Sequence, residues 1–343
     1  MKDRSIVLRP TVEIAAEGSD PRYFTPADPN LLLQCDPTRH TPVTFTSAGL
    51  RLAGHLYRPP TGSNDQTSAL VMAGPFSSVK EQTVPHYAEL LANAGYTVLT
   101  FDPRSFGESE GTPQWHHDPA WVIEDLVAAV DYLRGRQDVD AERIGAVGIC
   151  MGGGYVISAA ARDKRIKAVA SVAGGYDIGG TFQRLMGAEA FAAYYRRIND
   201  VVENQRRTGE VAYMPTIAHG LSSDIPFAAM PNDEAYSYYD RTAKEYAPNW
   251  SYQMTVASLE PYFSYNALPH VPLVAPAPLL IVHGTRDLFL LPEYAQAAYD
   301  AAIGPKQLVW IGTHNHIELY DQNPYVSQAV EALIPWLDRC LAA

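Results

Sequence analysis

The residues best suited to chemistry are a cysteine framed by glycines and the acid and histidine that follow it. The segment Ile144–Gly154 is an apolar run that stops at Cys150, with Gly148 two positions before it and Gly152 two positions after it. This spacing is typical of a nucleophile elbow, a sharp strand-to-helix turn that excludes larger side chains. A helix beginning near Met151 would direct its first N–H groups at the thiol and favour the thiolate. The alternative is a buried structural cysteine.

An elbow nucleophile requires an acid and then a histidine, each just after a later strand. The apolar run 278–282 leads into a polar turn that ends at Asp287, and the run 307–311 leads into a loop that carries His314 and His316. We predict Asp287 as the acid and His316 as the base, because His316 opens a segment long enough to return over the elbow. His314 is then a pocket residue. The alternatives are a turn or helix-cap role for Asp287 and a solvated loop position for either histidine.

Alternating strand and helix patterns must position these residues. Strand patterns occur at 41–46, 50–57, 69–73, 96–101, 144–149 and 166–172, and helical patterns occur at 86–94, 120–134 and 151–161. Repeated units of this length predict an α/β protein with a mostly parallel, doubly wound sheet, in which ligands bind at the carboxyl ends of the strands. Cys150, Asp287 and His316 all follow strands, so we expect them at one edge of the sheet.

The strand-helix rhythm breaks over residues 174–276, a length that is too great for a simple connection. We predict that this segment is an inserted helical lid with helices near 181–206 and 233–246. The predicted core has two parts, 41–173 and 277–343, and the proline-rich residues 1–40 are predicted to form an extended arm on it.

The predicted lid is rich in tyrosine. Aromatic side chains with polar tips suit the wall of a pocket for a mid-sized, partly apolar substrate. The candidates for substrate binding are Tyr194, Tyr195, Tyr239 and Trp250 in this segment, together with Glu81 and His314 outside it. The alternative is that these side chains pack the lid on the core.

Four motifs carry a resemblance to a known family. They are Gly148-Ile149-Cys150, the segment Phe101–Ser109 with its FD-x-R-x-x-G-x-S pattern, His283–Asp287, and His316–Asp321. Together they resemble the dienelactone-hydrolase-like branch of the α/β-hydrolase superfamily, from about residue 41 to the end of the chain apart from the insertion. The resemblance implies the α/β-hydrolase fold and hydrolysis at an activated acyl group.

The backbone N–H groups of Met151 and Phe76 are the expected oxyanion donors, because the first follows the nucleophile and the second lies in the loop opposite it. The Lys80-Glu81-Gln82 element matches one in the branch that the chain resembles. This match implies that Glu81 orients the oxyanion loop or touches the thiol. A solvated charge at a helix start is the alternative for Glu81.

The composition indicates an enzyme that acts on a small molecule. A net charge of −12 argues against a nucleic-acid partner. No segment approaches the roughly 20 apolar residues of a membrane span, and the chain does not open with a signal-peptide pattern, so we expect no membrane contact and a cytoplasmic location. The three cysteines lack C-x-x-C spacing, so we expect neither a disulfide framework nor a metal site, and no cofactor. A homodimer is left open.

These residues together predict a cysteine-dependent hydrolase that forms an acyl-thioenzyme on Cys150. A thiolate is a good leaving group, so activated esters, lactones and thioesters suit it better than amides. One alternative is an acyltransferase or cyclase that uses the same acyl-enzyme while the lid excludes water. Another is a non-catalytic scaffold that binds a ligand.

Overall fold

A large central sheet flanked by helices forms the centre of the protein in the computed structural model, which describes residues 27–36, 38–60 and 66–342. Numbered in chain order, the strands are β1 (His40–Ser47), β2 (Leu50–Tyr57), β3 (Thr67–Ala73), β4 (Thr97–Phe101), β5 (Val139–Ile149), β6 (Ile166–Val172), β7 (Tyr213–Pro215), β8 (Ile217–Ala218), β9 (Met230–Pro231), β10 (Gln253–Thr255), β11 (Leu279–Gly284) and β12 (Lys306–Ile311). The helices are α1 (Val84–Asn93), α2 (Pro119–Arg134), α3 (Met151–Arg162), α4 (Ile178–Met186), α5 (Ala188–Thr208), α6 (Asp233–Glu245), α7 (Leu259–Phe263), α8 (Pro292–Ala301), α9 (Glu318–Asp321) and α10 (Tyr325–Cys340).

The central sheet has eight strands in the order β1-β2-β4-β3-β5-β6-β11-β12. The first two strands form an antiparallel hairpin at one edge, β2 pairs antiparallel with β4, and the remaining pairs are parallel. The predicted mostly parallel, doubly wound sheet is confirmed. Its carboxyl edge receives the residues that follow β5, β11 and β12.

The strands are apolar because helices cover both faces of the sheet. All five residues of β4 are buried, and successive residues of a strand point to opposite faces. Helix α1 packs with α10, and α2 packs with α3. Helix α2 begins with Pro119, and the Asp118 side chain caps it by accepting a hydrogen bond from the Ala120 N–H.

The turn from β5 into α3 is a tight elbow. Cys150 has φ 58° and ψ −126°, a conformation that a residue with a side chain rarely adopts. A Cβ added to Gly148 would lie 2.0 Å from the Gly152 carbonyl oxygen, and one added to Gly152 would lie 2.2 Å from the Ala73 carbonyl oxygen. The Cys150 N–H donates to the Val172 carbonyl at 2.9 Å, which fixes the elbow to β6.

The segment between β6 and β11 is here called the insertion (residues 174–276). It contains four α-helices, two short 3-10 helices and four short strands. The predicted helix over 181–206 is two helices, because Gly187 adopts a positive φ of 84° and separates α4 from α5. The predicted helix over 233–246 corresponds to α6. Strands β7 and β10 pair antiparallel, and β8 pairs with β9. Its action as a lid remains a prediction.

Much of the predicted N-terminal arm lies outside the described residues. Residues 27–36 and 38–40 of it are described, and they run against helix α1 and the C-terminal part of the core. Leu32 forms a bridge with Gln322, and the Leu33 N–H donates to the Asp321 carbonyl at 2.7 Å. Within the described ranges, no helix combines the length and apolar character needed to cross a membrane.

The elbow generates a stability prediction. We expect Gly152→Ala to lower the free energy of unfolding by about 3 kcal/mol or more, because the new Cβ would meet backbone atoms of Ala73 and Gly74 that cannot simply swing aside. Urea unfolding followed by circular dichroism measures the change. Gly312→Ala is the matched control, since a Cβ there meets nothing within 4 Å. Equal stability of the two variants would contradict the steric argument.

Candidate active site

A cavity of about 670 Å³ contains the Cys150 side chain at the carboxyl edge of the sheet. The core contributes Phe76, Phe289 and His316 to its wall, and the insertion contributes Phe182, Met186 and Tyr262 among others. Tyr262 stacks on Phe76 with a ring-centroid distance of 4.0 Å. The cavity is therefore largely apolar and lies between the insertion and the elbow.

His316 and Asp287 form a buried pair beside this cavity. The His316 Nδ1 lies 2.6 Å from the Asp287 Oδ2, and the Asp287 Oδ1 accepts hydrogen bonds from the N–H groups of Phe289 and Leu290 at 2.9 and 2.8 Å. These three contacts fix the carboxylate and, through it, the orientation of the imidazole. The structure thus brings together His316, Asp287 and Cys150, which the sequence analysis selected.

Each member of this pair shifts the pKa of the other in the direction that favours the ionised form. Burial alone would raise the pKa of Asp287, but the His316 charge and the hydrogen bonds outweigh it and hold that pKa below its ordinary value. Burial alone would lower the pKa of His316, but the charges of Asp287 and of an ionised Cys150 raise it well above its ordinary value. An imidazolium paired with the Asp287 carboxylate is consistent with these directions.

Tyr320 is a fourth polar group at this point, and the sequence analysis did not select it. Its hydroxyl lies 3.1 Å from the His316 Nε2, and both groups line the same cavity as Cys150. Its position four residues after His316 places it one helical turn later. That spacing was the available signal, but a tyrosine at such a spacing is more often a packing residue.

The two predicted oxyanion donors have free N–H groups. Within the described residues, neither the Met151 N–H nor the Phe76 N–H donates to a protein acceptor. Met151 is the first residue of α3, so its N–H has no partner within the helix. Both groups are therefore available to an oxygen atom bound beside Cys150.

Side chains of the insertion hold the loop that contains Phe76. The Tyr239 hydroxyl donates to the Phe76 carbonyl at 2.9 Å, and the Trp250 Nε1–H donates to the Ser77 carbonyl at 3.0 Å. From the core, the Lys80 N–H donates to the Asp102 Oδ1 at 2.7 Å. The loop is thus fixed from both sides, and Trp250 acts on it from outside the cavity wall.

Glu81 takes part in a buried ionic cluster and does not line the cavity. Its Oε1 lies 2.8 Å from the Lys80 Nζ, and its Oε2 accepts a hydrogen bond from the Asn249 side chain at 3.0 Å. Lys80 also pairs with Asp102 at 2.9 Å. Glu81 is therefore neither a solvated charge nor a neighbour of the thiol, and it links the oxyanion loop to the insertion.

Among the six residues proposed for substrate binding, the structure places Tyr239 on the cavity wall. Tyr194 is buried against the Ala228 carbonyl, and the Tyr195 hydroxyl lies 3.1 Å from the Ser264 Oγ. His314 is exposed and lies 3.2 Å from Glu318. The placement of Tyr194, Tyr195 and His314 differs from the prediction, because each side chain is engaged elsewhere. Glu81 and Trp250 do not line the cavity either, because Glu81 pairs with Lys80 and Trp250 bonds to the Ser77 carbonyl.

Glu234 contributes a second carboxylate that the sequence analysis missed. It lies in the first turn of α6, and its Oε1 accepts hydrogen bonds from the N–H groups of His316 and Ile317 at 2.7 and 3.0 Å. Burial raises the pKa of Glu234 to about 7, against the opposing effect of the His316 charge. Asn232 caps the same helix and marks its start in the sequence, but a contact between residues 82 positions apart has no sequence signal.

The chain matches known proteins over most of its length. Residues 48–318 match the family model described as X-Pro dipeptidyl-peptidase (S15 family). The uncharacterized protein PA2218 of Pseudomonas aeruginosa is 32% identical, with 82% of this chain and 76% of that protein covered. Thiohydrolase aneE of Aspergillus aculeatus is 32% identical over 79% of this chain and 84% of its own length. Polyketide transferase claH of Penicillium crustosum is 27% identical over 84% of this chain and 92% of its own length.

Solved structures agree with the fold. The crystal structure of PA2218 has a TM-score of 0.76 at 28% identity and covers 91% of this chain and 100% of that one. The crystal structure of the α/β hydrolase GrgF from Penicillium sp. sh18 has a TM-score of 0.75 at 24% identity. The match covers 89% of this chain and 99% of that one. The predicted α/β-hydrolase fold is confirmed, and the family match spans Cys150, Asp287 and His316 alike. The protein belongs to the X-Pro dipeptidyl-peptidase (S15) family and has the α/β-hydrolase fold.

Proposed function

We propose that the protein is a cysteine-dependent hydrolase that forms an acyl-thioenzyme on Cys150. The observation that carries the proposal is the elbow thiol in an apolar cavity beside the buried pair of His316 and Asp287. Nucleophile, base and orienting acid follow the chain order of the α/β-hydrolase triad. The finer assignment to a dienelactone-hydrolase-like branch rests on the four motifs and is part of the same proposal.

Acylation begins with removal of the thiol proton toward His316. The thiolate then attacks the carbonyl carbon, and the N–H groups of Met151 and Phe76 bind the developing oxyanion. As the tetrahedral intermediate collapses, His316 returns the proton to the leaving oxygen or sulfur. Asp287 holds the imidazole in the tautomer that this exchange requires.

Deacylation releases the product and decides between hydrolysis and transfer. Water activated by His316 attacks the thioester carbonyl and releases a carboxylic acid. If an alcohol or amine occupies the same place, the acyl group passes to it. Hydrolysis is the first candidate, supported by the thiohydrolase relative. Transfer is the second, favoured by the aromatic wall that limits access of water and supported by the polyketide transferase relative.

The cavity wall favours a neutral acyl group. Its described lining contains the carboxylates of Asp233 and Glu234 but neither lysine nor arginine. A substrate with a carboxylate or phosphate near the acyl carbon would meet repulsion from these carboxylates, because the histidines of the lining, His219 and His316, are already paired with Asp233 and Asp287. The apolar remainder suits an alkyl or ring-bearing chain of moderate size.

The triad assignment is tested by intact-protein mass spectrometry after brief exposure to neutral activated esters, thioesters and lactones. We expect the native chain to turn over at least one donor, Cys150→Ala to form no adduct, and His316→Ala to accumulate any acyl adduct because deacylation needs the base. Asp287→Asn should slow turnover by about 100-fold or more, because the imidazole loses its orienting acceptor.

His314→Ala is the control for the triad, since that side chain is exposed and directed at Glu318. It should retain most of the activity. Inactive His314→Ala together with active His316→Ala would reverse the assignment of the base. Absence of both adduct and turnover across the panel would favour a binding scaffold.

A second prediction concerns pH. The carboxyl of Glu234 has a pKa of about 7, so it is neutral below that pH and ionised above it. Only the ionised form makes charge-assisted bonds to the His316 and Ile317 N–H groups and stabilises a nearby imidazolium. We expect Glu234→Gln to acylate about threefold to tenfold more slowly than the native chain at pH 8 and at the same rate at pH 6. Burst-phase acylation measured between pH 5.5 and 8.5 tests this.

Glu245→Gln is the matched control, because it makes the same substitution at the exposed far end of α6. It should follow the native pH profile. If Glu234→Gln lowers the rate of acylation equally at pH 6 and pH 8, the charge of Glu234 is irrelevant to the reaction.

A further inference from the structure

The Tyr320 hydroxyl occupies the place where a triad histidine would meet its nucleophile. It lies 3.1 Å from the His316 Nε2, the nitrogen that does not face Asp287. The two rings pack edge to face, with centroids 5.1 Å apart. The Cys150 side chain lines the same cavity as both groups, and its charge acts on the pKa of each. Three groups that can exchange protons therefore meet at one point.

Tyr320 is held firmly in this position. Its ring packs edge to face against Tyr238 of α6, with centroids 4.9 Å apart. The preceding carbonyl, that of Leu319, accepts a hydrogen bond from the Tyr87 hydroxyl at 2.6 Å. The following carbonyl, that of Asp321, accepts one from the Leu33 N–H at 2.7 Å. Because backbone and ring are both fixed, the hydroxyl cannot easily leave its place beside the His316 Nε2.

The hydroxyl keeps its proton at neutral pH. Burial, together with the neighbouring Cys150 charge, raises the pKa of Tyr320 well above its ordinary value. A lasting phenolate is therefore excluded as a resting state. A protonated hydroxyl between two heteroatoms can donate to one of them while it accepts from the other.

We propose that Tyr320 is a catalytic residue that relays the proton of Cys150 to His316. In the neutral state the thiol donates to the Tyr320 oxygen, and the hydroxyl donates to the His316 Nε2. In the transfer the S–H bond breaks as a new O–H bond forms, and the original O–H bond breaks as an N–H bond forms. Tyr320 ends as it began, a neutral phenol, and the products are a thiolate and an imidazolium.

After the transfer both hydrogen bonds are reversed. The imidazolium Nε2–H donates to the Tyr320 oxygen, and the hydroxyl donates to the thiolate. A donor on sulfur also stabilises the thiolate when it is expelled from the acyl-enzyme, so the same hydroxyl serves deacylation. This role rests on the proposed function, but the relay itself concerns the free enzyme.

Alkylation of Cys150 by iodoacetamide tests the relay without any acyl donor. The full chain and its Tyr320→Phe variant are compared between pH 5.5 and 9.5 by mass spectrometry of the Cys150 peptide. We expect about tenfold slower alkylation of Tyr320→Phe at pH 7 and a profile displaced by about one unit to higher pH, because the thiolate loses its donor and its link to the base. An unchanged profile would overturn the proposal.

Other ionisable groups face this cluster and must not be confused with it. They are Asp287 and His283 of the core, Tyr155 of α3, Glu234, Tyr238 and Tyr239 of α6, and Tyr262 of α7. The pKa values of Asp287 and His283 are lowered and those of the four tyrosines are raised, so these six keep one charge state through neutral pH. Glu234 has a pKa of about 7, within the pH range of the measurement. The alkylation of Tyr320→Phe is therefore also compared in a Glu234→Gln background, where the displacement of the pH profile should persist.

Tyr238→Phe is the matched control. Its ring is buried beside Tyr320, but its hydroxyl bonds to the Thr83 Oγ1 at 2.8 Å, away from the thiol. It should alkylate like the native chain, and an equal displacement in both variants would overturn the proposal. If Tyr320→Phe unfolds at a lower temperature than the native chain, 3-fluorotyrosine at position 320 keeps the shape and makes the phenol more acidic. The alkylation profile should then move to lower pH.

The two proposals can fail separately. If no acyl donor labels any form of the protein but Tyr320→Phe displaces the alkylation profile, the acyl-enzyme proposal fails and the relay stands. If acylation is observed and Tyr320→Phe matches the native chain in both assays, the relay alone is wrong.

Discussion

The close contact between the elbow and the end of β3 is the constraint on which the site depends. Gly152, two positions after the nucleophile, lies against the Ala73 carbonyl, and the Cys150 N–H donates to the Val172 carbonyl of β6. A sheet that is buried on both faces offers no room for this turn to relax. Cys150 therefore stays in a strained conformation with its thiol at the sheet edge and the first N–H groups of α3 beside it.

The insertion lines part of the cavity and also holds two loops of the core in place. Tyr239 and Trp250 hold the loop that carries one predicted oxyanion donor, and Glu234 holds the loop that carries the histidine. Both loops belong to the core, yet their positions depend on a segment inserted between β6 and β11. Helix α6 contacts the histidine loop through Glu234 and the oxyanion loop through Tyr239, so both loops depend on the position of one helix that also lines the cavity.

The core and the triad could be predicted from the sequence because their signals are local. Glycine spacing identifies the elbow, apolar runs identify the strands, and chain order identifies Asp287 and His316. The cavity wall could not be predicted in this way. Tyr194 and Tyr239 look alike in composition, and only packing decides that Tyr239 meets the oxyanion loop while Tyr194 meets Ala228. Glu234 and Tyr320 were missed because their importance arises from contacts made after folding.

The contacts made by Tyr239, Trp250 and Glu234 all end on backbone atoms of the core loops. Backbone carbonyl and N–H groups are the same whichever side chain a position carries. The side chains of Phe76 and Ile317, which face the cavity, can therefore be exchanged without removing the bonds that hold their loops. This arrangement separates the shape of the cavity from the geometry of the reaction, and it gives such a scaffold freedom to acquire new substrates by substitution at its wall.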